Sequence, residues 1–293
     1  MPTGNTSPDF YGGQRTADVE RYASSVVALD ATTGDVRWHF QTVHHDIWDF
    51  DVGSQPVIVD FPVNGTQAPA LVVPTKRGEI FVLDRRTGTP VTQVVERAVP
   101  RSVAHGEWLS PTQPFSVGFP SFSPPPLDES QMWGVTPLDQ LWCRKRFRES
   151  RYEGQFTPQS TQGSIIDPGS FGVIDWGSVS VDAERGLMIV NASGMPYYQK
   201  LIPRVIADRL GVAPFGTRAR EGAAPRSFTV FAQQGTPYAI DSWGFLCPLG
   251  YACKQPPWGT LAAVDHAGRK LLWQRPLGTT RHVAQLVVSL PTR

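Results

Sequence analysis

The sequence VVALDATTGDVRW at residues 26–38 recurs in altered form as IFVLDRRTG at 80–88 and as LAAVDHAGRKLLW at 261–273. Each copy is an apolar strand followed by Asp and a turn that contains Gly, and two copies continue into a second strand that carries Trp38 or Trp273. Asp binds its own backbone in such a turn and Gly accepts a positive φ, so the pattern is typical of tight hairpins. One such unit cannot bury both of its faces, so we predict neighbouring units packed together, with Trp between adjacent sheets. A β-propeller fits this pattern better than an immunoglobulin-like sandwich, whose Cys–Trp–Cys frame is absent.

The composition also indicates an all-β chain. There are 27 glycines and 27 prolines among the 293 residues, together with nine tryptophans and 40% hydrophobic residues, which is typical of many turns between short buried strands. The net charge of +1 provides no general attraction to nucleic acid or anionic lipid, so no nucleic-acid partner is expected. No apolar run approaches the roughly 18 residues of a membrane helix, and residues 1–20 show no signal-peptide pattern.

One helix is predicted, over residues 136–150, with Thr136 as its cap and Pro137 in its first turn. The apolar face of this helix would consist of Leu138, Leu141 and Trp142. The six prolines within residues 110–127 predict a loop there.

The three cysteines show no zinc-type spacing. Cys247 and Cys253 flank a short Pro- and Gly-containing loop, CPLGYAC, and their spacing would allow a small disulfide ring in an oxidising compartment. Two unpaired loop thiols fit the spacing equally well. Cys143 lies in the predicted helix.

The densest group of titratable residues is HHDIWDFD at residues 44–51, directly after a predicted strand. His44 and His45 are adjacent and would point to opposite faces, so they are poor joint ligands for one metal. Asp49 and Asp51 would share a face beside an aromatic side chain, which suits binding of a hard metal ion or abstraction of a proton. A turn rich in carboxylate caps is the alternative.

Three further positions could carry chemistry, although each has an ordinary structural explanation. Lys76 lies in a turn between two apolar strands, where a lysine normally faces solvent. Asn191 ends the apolar strand at residues 187–190, as turn-forming Asn often does. Asn5 and Thr6 lie in a turn, GNTSP, whose side-chain oxygens could bind a ligand.

These stretches belong to a longer set: PTGNTSPDFYGGQR (2–15), YASSVVALDATTGDVRWHFQTVHHDIWDFD (22–51), PTKRGEIFVLDRRTG (74–88), SPTQPFS (110–116), MWGVTPLDQLWCR (132–144), RYEGQFTP (151–158) and WGSVSVD (176–182). The set resembles the pyrroloquinoline quinone (PQQ) dependent dehydrogenases, specifically their membrane-bound glucose/quinate/shikimate branch. Residues 2–204 match almost continuously, and CKQPPWG at 253–259 matches again.

The resemblance implies an eight-bladed β-propeller that holds PQQ and a divalent cation, usually Ca²⁺, on its axis. It assigns Asp49 as the catalytic base and a metal ligand, and Lys76 and Asn191 as contacts of the cofactor. Asn5 matches a metal ligand of the related alcohol dehydrogenases, with Thr6 beside it as a further cofactor contact. Asp51 corresponds to a position associated with lanthanide use in some alcohol-oxidising relatives but is also common in this branch, so Ca²⁺ is the expected ion.

The resemblance further implies oxidation of a polyol or cyclic alcohol, with hydride passing to PQQ and electrons to ubiquinone, at the periplasmic face of the inner membrane. The family has an N-terminal membrane anchor, early blades and closing blades outside the matched region. We therefore expect residues 1–293 to form one partial propeller domain, an open arc of about four to five blades that is poorly stable and inactive alone. A non-catalytic propeller that binds partner proteins is the alternative, but it would have no use for Asp49, Lys76 and Asn191. A degenerate fragment without a role is the third possibility.

Overall fold

The computed structural model describes residues 1–63, 65–212 and 229–278 of the chain. In this part of the chain the polypeptide forms fifteen β-strands and three α-helices. The strands are β1 (Ser25–Leu29), β2 (Val36–Gln41), β3 (Val57–Val63), β4 (Thr66–Pro74), β5 (Ile80–Asp84), β6 (Val94–Ala98), β7 (Thr112–Ser116), β8 (Ser164–Ile166), β9 (Val179–Asp182), β10 (Leu187–Ser193), β11 (Tyr197–Pro203), β12 (Val230–Phe231), β13 (Tyr238–Gly244), β14 (Gly259–Asp265) and β15 (Lys270–Pro276). The helices are α1 (Ala17–Glu20), α2 (Pro137–Glu149) and α3 (Arg204–Arg209).

The two hairpins predicted from the repeats are present as β1–β2 and β14–β15, both antiparallel. The Oδ1 atom of Asp30 accepts hydrogen bonds from the amides of Thr32 and Thr33 in the first turn. In the second turn Asp265 Oδ1 accepts from the amides of Ala267 and Gly268 in the same way. The Asp therefore caps the turn in each hairpin, as its place in the repeat predicts.

The strands form five antiparallel sheets, and among the described residues no pairing closes them into a ring. Two sheets have four strands, in the orders β15-β14-β10-β9 and β12-β13-β11-β8. The others are the three-stranded sheet β3-β4-β5 and the pairs β1-β2 and β6-β7.

The hydrophobic core lies between neighbouring sheets. The faces of the β3-β4-β5 sheet and the β9-β10-β14 strands meet in the largest cluster, which includes Val72, Val82, Met188 and Val264. A second cluster joins β1 to β4 and β5. Burial between sheets is the arrangement required by units that cannot bury both faces alone.

Trp38 confirms the predicted position of a Trp between sheets. Its indole Nε1 on β2 donates a hydrogen bond of 3.2 Å to the carbonyl of Arg85, in the turn after β5. Gly88 has a φ of 74°, and a Cβ added there would lie 2.5 Å from the Trp38 ring, so this position must lack a side chain. Trp273 differs, because it lies on β15, whose residues are all exposed in the described structure.

Helix α2 has the predicted bounds but not the predicted buried face. The Thr136 hydroxyl oxygen accepts a hydrogen bond from the Asp139 amide, and the Asp139 carboxylate accepts from the Thr136 amide. Asp139 and Cys143 are the buried positions, whereas the predicted apolar face is exposed at Leu138, Leu141 and Trp142. Asp139, which takes part in the N-terminal cap, and Cys143, which forms a disulfide, lie on the side of the helix that faces inward.

Cys143 of α2 forms a disulfide with Cys253, and Cys247 is a buried free thiol. The predicted Cys247–Cys253 ring is therefore wrong, as is the prediction that both are unpaired. Spacing along the chain could not reveal this bond, because its partners are 110 residues apart. All three cysteines nevertheless lie in one hydrophobic cluster.

The proline-rich stretch 110–127 is not entirely loop, because it contains β7, which pairs with β6. Pro114 is accommodated because this sheet has only two strands, so the missing amide hydrogen interrupts no central ladder. No helix in the described residues is long and apolar enough to cross a membrane.

The disulfide gives a direct test of the fold. Alkylation of the unfolded, unreduced chain should label only Cys247, as read by peptide mass spectrometry. Cys143→Ser should lower the free energy of unfolding by about 2–4 kcal/mol, measured by urea denaturation, because the bond closes a loop of 110 residues. Cys247→Ser is the matched control and should cost less; labelling of Cys143 in the unreduced chain would contradict the pairing.

Candidate functional site

The turn between β4 and β5 places the ammonium group of Lys76 between two carboxylates. Lys76 Nζ lies 3.1 Å from Asp49 Oδ1 and 2.6 Å from Asp51 Oδ1. The Lys76 side chain is only 10% exposed, so the lysine is buried rather than solvent-facing. The prediction that Asp49 and Asp51 share a face is therefore confirmed, and the structure adds the cation that holds them together.

The loop that carries Asp49 is fixed by side chains from several segments. The Asp46 carboxylate accepts hydrogen bonds from the Ser24 hydroxyl at 2.7 Å and from the Trp48 amide at 2.9 Å. The Trp48 indole donates to the carbonyl of Thr157 at 2.8 Å. Asp49 itself has a φ of 62°, a left-handed conformation that Asp tolerates better than most residues and that is often found at functional sites.

Further hydrogen bonds use the carbonyl groups of the same loop. Gln159 donates to the carbonyl of Ile47 at 2.7 Å, and the Ser170 hydroxyl donates to that of Trp48 at 3.2 Å. With its polar backbone groups bound in this way, the loop holds the Asp49 carboxylate in one place.

Lys76 is covered by the segment before β9. The amide of Val173 donates to the Lys76 carbonyl at 2.7 Å. Gly172 has a φ of 78°, and a Cβ there would lie 2.5 Å from Lys76 Cγ. A Cβ on Gly53 would lie 2.1 Å from Asp175 Oδ1 and 3.6 Å from Lys76 Cε. These glycines allow the backbone and the Asp175 carboxylate to approach the lysine closely.

The electrostatics of the site leave Asp49 able to exchange a proton near neutral pH. Burial raises the pKa of Asp49 to about 7; Lys76 opposes this shift, and the neighbouring Asp46 and Asp51 add to it. Burial alone would lower the pKa of Lys76, but Asp49 and Asp51 outweigh it and raise the pKa, so the lysine stays charged. A poised carboxylate beside a fixed cation is suited to general base catalysis.

Asp49 lines a cavity of about 690 Å³. One wall is the N-terminal stretch of residues 7–10, and the opposite wall includes Phe171, Tyr197 and Trp243. A more apolar cavity of about 450 Å³ shares these three aromatic residues but has no carboxylate or basic side chain in its lining. We therefore assign the candidate site to the cavity that contains Asp49.

The other predicted site residues are placed differently. Asn5 is close to the carboxylates: its buried amide nitrogen has no hydrogen-bond partner, and a Cβ on the adjacent Gly4 would lie 3.8 Å from Asp51 Oδ2. The Thr6 hydroxyl is used in a 3.0 Å hydrogen bond to the carbonyl of Val19. Asn191 is exposed in the middle of β10, opposite Leu261 of β14. Cofactor contacts from Thr6 and Asn191 stay predictions.

The residues around Asp49 fit a hard cation in kind. Asp49, Asp51 and Asn5 offer oxygen atoms, which Ca²⁺ prefers, and the buried Oδ1 atom of Asp175 lacks a hydrogen-bond partner. Within the described ranges no three His, Cys, Asp or Glu side chains converge on a common metal position. These residues would thus supply part of a Ca²⁺ coordination shell, in competition with the Lys76 ammonium.

Sequence reasoning missed Asp175 and the aromatic wall. Asp175 directly precedes the WGSVSVD stretch at 176–182, but only the fold shows that it lies beside Gly53 and Lys76. His44 and His45 do diverge as predicted: the His44 imidazole contacts Glu96, and that of His45 contacts Glu107.

Comparison with known proteins gives consistent matches. A family model described as the β-propeller domain of PQQ-dependent glucose/ethanol/alcohol dehydrogenases matches residues 1–293. The chain is 44% identical to quinoprotein glucose dehydrogenase of Escherichia coli K12, over 95% of its own length and 34% of that protein. It is 45% identical to the glycerol dehydrogenase large subunit of Gluconobacter oxydans, over 96% of the chain and 38% of the relative. It is 41% identical to the quinate/shikimate dehydrogenase (quinone) of Acinetobacter baylyi, over 99% of the chain and 35% of the relative.

Two solved structures share the fold. The quinohemoprotein alcohol dehydrogenase of Pseudomonas putida HK5 superposes with a TM-score of 0.52 at 19% identity, covering 94% of this chain and 32% of that one. The enzyme from Comamonas testosteroni gives 0.52 at 20% identity, covering 97% and 32%. The predicted β-propeller architecture is confirmed, and the chain spans about a third of the length of the relatives it matches.

The raised pKa of Asp49 can be measured directly. In a ¹³C NMR titration of the aspartate carboxyl groups, Asp49 should titrate with a midpoint of about 7, and Lys76→Gln should move the midpoint upward because the cation that favours the carboxylate is lost. Asp84 is the control within the chain, since Arg86 holds its pKa at about 2. An Asp49 midpoint near 4 would show that the carboxylate is not buried as described.

Proposed function

Because the chain belongs to the β-propeller domain family of PQQ-dependent glucose, ethanol and alcohol dehydrogenases, we propose that its Asp49–Lys76 site serves oxidation of a CH–OH group with PQQ as cofactor. The substrate class would be a polyol or cyclic alcohol, of the kind named for its relatives: glucose, glycerol, quinate or shikimate. The observation that carries this proposal is the buried ammonium of Lys76 between Asp49 and Asp51, beside the Asp49 cavity.

Asp49 is the base in this proposal. With a pKa of about 7 it is largely ionised in mildly alkaline solution, yet basic enough to accept a proton from a substrate hydroxyl group. Its carboxylate is 30% exposed and lines the cavity, so it is accessible to a bound alcohol. The fixed loop from Asp46 to Trp48 keeps the accepting oxygen in position as the hydroxyl loses its proton.

Lys76 is the electrostatic group. Its charge is maintained by Asp49 and Asp51, and its position is fixed by the Gly172 segment, so it can stabilise negative charge without reorganising. A neutral side chain at this position would leave two neighbouring carboxylates without compensation.

The cavity has room and lining for PQQ together with a substrate. Its volume of about 690 Å³ and its aromatic wall suit a flat ring system. When bound, PQQ supplies the quinone carbonyl carbon that takes up hydride. Lys76 would hold its oxygen atoms, and Asp49, Asp51 and Asn5 would hold Ca²⁺; the negative charge of these carboxylates makes a cation necessary for an anionic cofactor.

We further propose ubiquinone as the electron acceptor and the periplasmic face of the inner membrane as the location. The word quinone in the name of the Acinetobacter relative supports the first point. The Cys143–Cys253 disulfide supports the second, because disulfides persist in oxidising compartments such as the periplasm.

Binding of PQQ tests the site. Titration of the chain with PQQ and Ca²⁺ should quench its tryptophan fluorescence with saturation, and excess EDTA should abolish the effect. Lys76→Ala should raise the dissociation constant about 10–100-fold, since a hydrogen bond to a charged group contributes about 1.5–3 kcal/mol.

Lys145→Ala is the matched control, because this lysine is exposed on α2 and pairs with Glu149. It should bind PQQ like the wild type. Equal binding by all three proteins, or none by a folded wild type, would refute the proposal.

Turnover tests the base. In dye-reduction assays with PQQ and Ca²⁺, using glucose, glycerol, quinate and shikimate in turn, Asp49→Asn should lower the rate about 10²–10⁴-fold, because the amide cannot accept the proton. Asp84→Asn, in an exposed turn, should leave it unchanged. A wild-type chain that binds PQQ but reduces no dye with any substrate would show that this chain does not carry the activity.

A further inference from the structure

The stretch YGGQR at residues 11–15 has no role in the site described above, yet its glycines are needed for close packing. A Cβ on Gly12 would lie 2.4 Å from the His45 ring, and a Cβ on Gly13 would lie 2.1 Å from the carbonyl oxygen of Gly106. These two glycines let the N-terminal segment lie directly against His45 and the loop around Gly106.

His45 is at the centre of a buried group of charges, which we name the His45 cluster: Arg15, Glu20, His45 and Glu107. The imidazole Nε2 lies 3.1 Å from Glu107 Oε1, and Nδ1 lies 3.2 Å from Glu20 Oε1. Arg15 Nη1 lies 3.3 Å from the same Glu20 oxygen. The side chains of Arg15, His45 and Glu107 are each no more than 3% exposed, and that of Glu20 is 12% exposed.

The cluster joins three segments of the chain. Glu107 Oε2 accepts a hydrogen bond of 2.7 Å from the amide of Gly12. The ring of Trp108 packs on the His45 imidazole, with 3.7 Å between centroids. The N-terminal segment, helix α1 and the loop after β6 thus meet at the His45 cluster.

Arg15 extends the cluster to the Asp49 site. Its guanidinium donates to the carbonyl of Pro8 at 2.5 Å and to that of Asp46 at 2.7 Å. Residues 7–10 form one wall of the cavity that Asp49 lines, and Asp46 begins the loop that positions Asp49. A change in the His45 cluster would therefore affect the position of residues 7–10 and of the loop that carries Asp49.

We propose that protonated His45 fastens the N-terminal segment onto the Asp49 loop, and that loss of this proton loosens residues 7–10, the wall of the Asp49 cavity. With His45 charged, two cations balance the two carboxylates of Glu20 and Glu107. With His45 neutral, one buried carboxylate has no compensating charge, which is costly in a buried site. The second half of this proposal, in which His45 positions the wall of the cavity for cofactor and substrate, rests on the proposed function.

The two carboxylates that face His45, those of Glu20 and Glu107, both favour its protonated form. Burial alone would lower the pKa of His45, but the hydrogen bonds and charges of Glu107 and Glu20 outweigh it and raise the pKa. Of the other nearby groups, Tyr11 donates its hydroxyl hydrogen to the His105 carbonyl, and the Asp46 carboxylate is turned to Ser24 and Trp48. A raised pKa in the folded state means that the stabilisation is fully present below about pH 6.5 and is lost as the pH rises through the folded value.

Trypsin cleavage after Arg15 measures this release, because the Arg15 side chain is buried until the segment opens. In the wild-type chain, cleavage should become at least tenfold faster between pH 6.5 and pH 9, after correction with a small amide substrate of trypsin. His45→Gln should be cleaved rapidly at both pH values. Cleavage after Arg77, which is fully buried in the core, reports global unfolding in the same digest.

Two further variants and the wild-type pH series distinguish a specific effect of His45 from a general loss of stability. His44→Gln is the matched control, since His44 contacts Gln41 and Glu96 outside the cluster, and it should behave like the wild type. Glu107→Gln should lose most of the pH dependence while keeping the side-chain shape. If His45→Gln does not fold, the wild-type pH series still decides: a corrected rate at Arg15 that does not change with pH, or that changes only together with Arg77, overturns the proposal.

The link to the cavity is tested separately at pH 6.5 by titrating wild type and His45→Gln with PQQ and Ca²⁺. At least a fivefold rise in the dissociation constant is expected for His45→Gln, and none for His44→Gln. Equal affinity of wild type and His45→Gln would overturn the role in the cavity wall. A wild type that binds no PQQ but shows the pH-dependent cleavage would refute the proposed function and leave the fastening by His45 standing.

Discussion

Two adjacent cations in one turn organise the described structure. Lys76 points to the carboxylates of the candidate site, whereas Arg77 points into the core, where its guanidinium is fully buried. Arg77 lies 2.8 Å from Glu79 and donates to the carbonyls of Thr42 and Pro114 at 3.0 and 2.8 Å. Because a buried guanidinium is costly without such partners, the segment directly after β2, the β4–β5 turn and β7 must stay together. The same turn then presents Lys76 at a fixed place.

This arrangement gives the site its charge balance. Asp46, Asp49 and Asp51 lie within one short loop, and Asp175 approaches from another segment, while Lys76 contacts Asp49 and Asp51 directly. Lys76 does not neutralise all of these carboxylates: burial above all, and then this excess of negative charge, raises the pKa of Asp49 and of the buried Asp46. An excess that costs folding free energy is typical of a site shaped for a cation and for proton transfer rather than for stability.

The elements that local rules control could be predicted from the sequence. Asp30 and Asp265 cap their turns as the repeat indicates, and Thr136 caps α2 at the predicted residue. Features that depend on distant partners could not be predicted. The face of α2 is set by a disulfide to Cys253 across 110 residues, so its Leu and Trp side chains lie outside despite their spacing.

The candidate site likewise combines features that the local sequence predicts with features that depend on distant segments. Asp49 and Asp51 share a face because of their spacing, which the sequence shows, but the burial of Lys76 depends on Gly172 and Val173, nearly a hundred residues later in the chain. The resemblance assigned Asp49 and Lys76 to one site, and the structure brings these two side chains into contact, whereas the role of Asn5 stays a prediction. It gave no indication that the Thr6 hydroxyl is bound to the Val19 carbonyl.

The candidate base Asp49 and His45 lie on one short loop, and the loss of a proton has opposite consequences at the two residues. As the pH rises through about 7, Asp49 loses its proton and becomes able to act as the base of the proposed function. A rise in pH through the pKa of His45, which lies above its ordinary value, removes the charge that balances Glu20 and Glu107 and, in our proposal, weakens the hold on residues 7–10. The raised pKa of His45 therefore extends toward higher pH the range in which the proposed fastening holds the wall of the cavity in place. Only three residues, among them the buried Trp48, separate His45 from Asp49, so the proposed fastening and the candidate base depend on the same short loop.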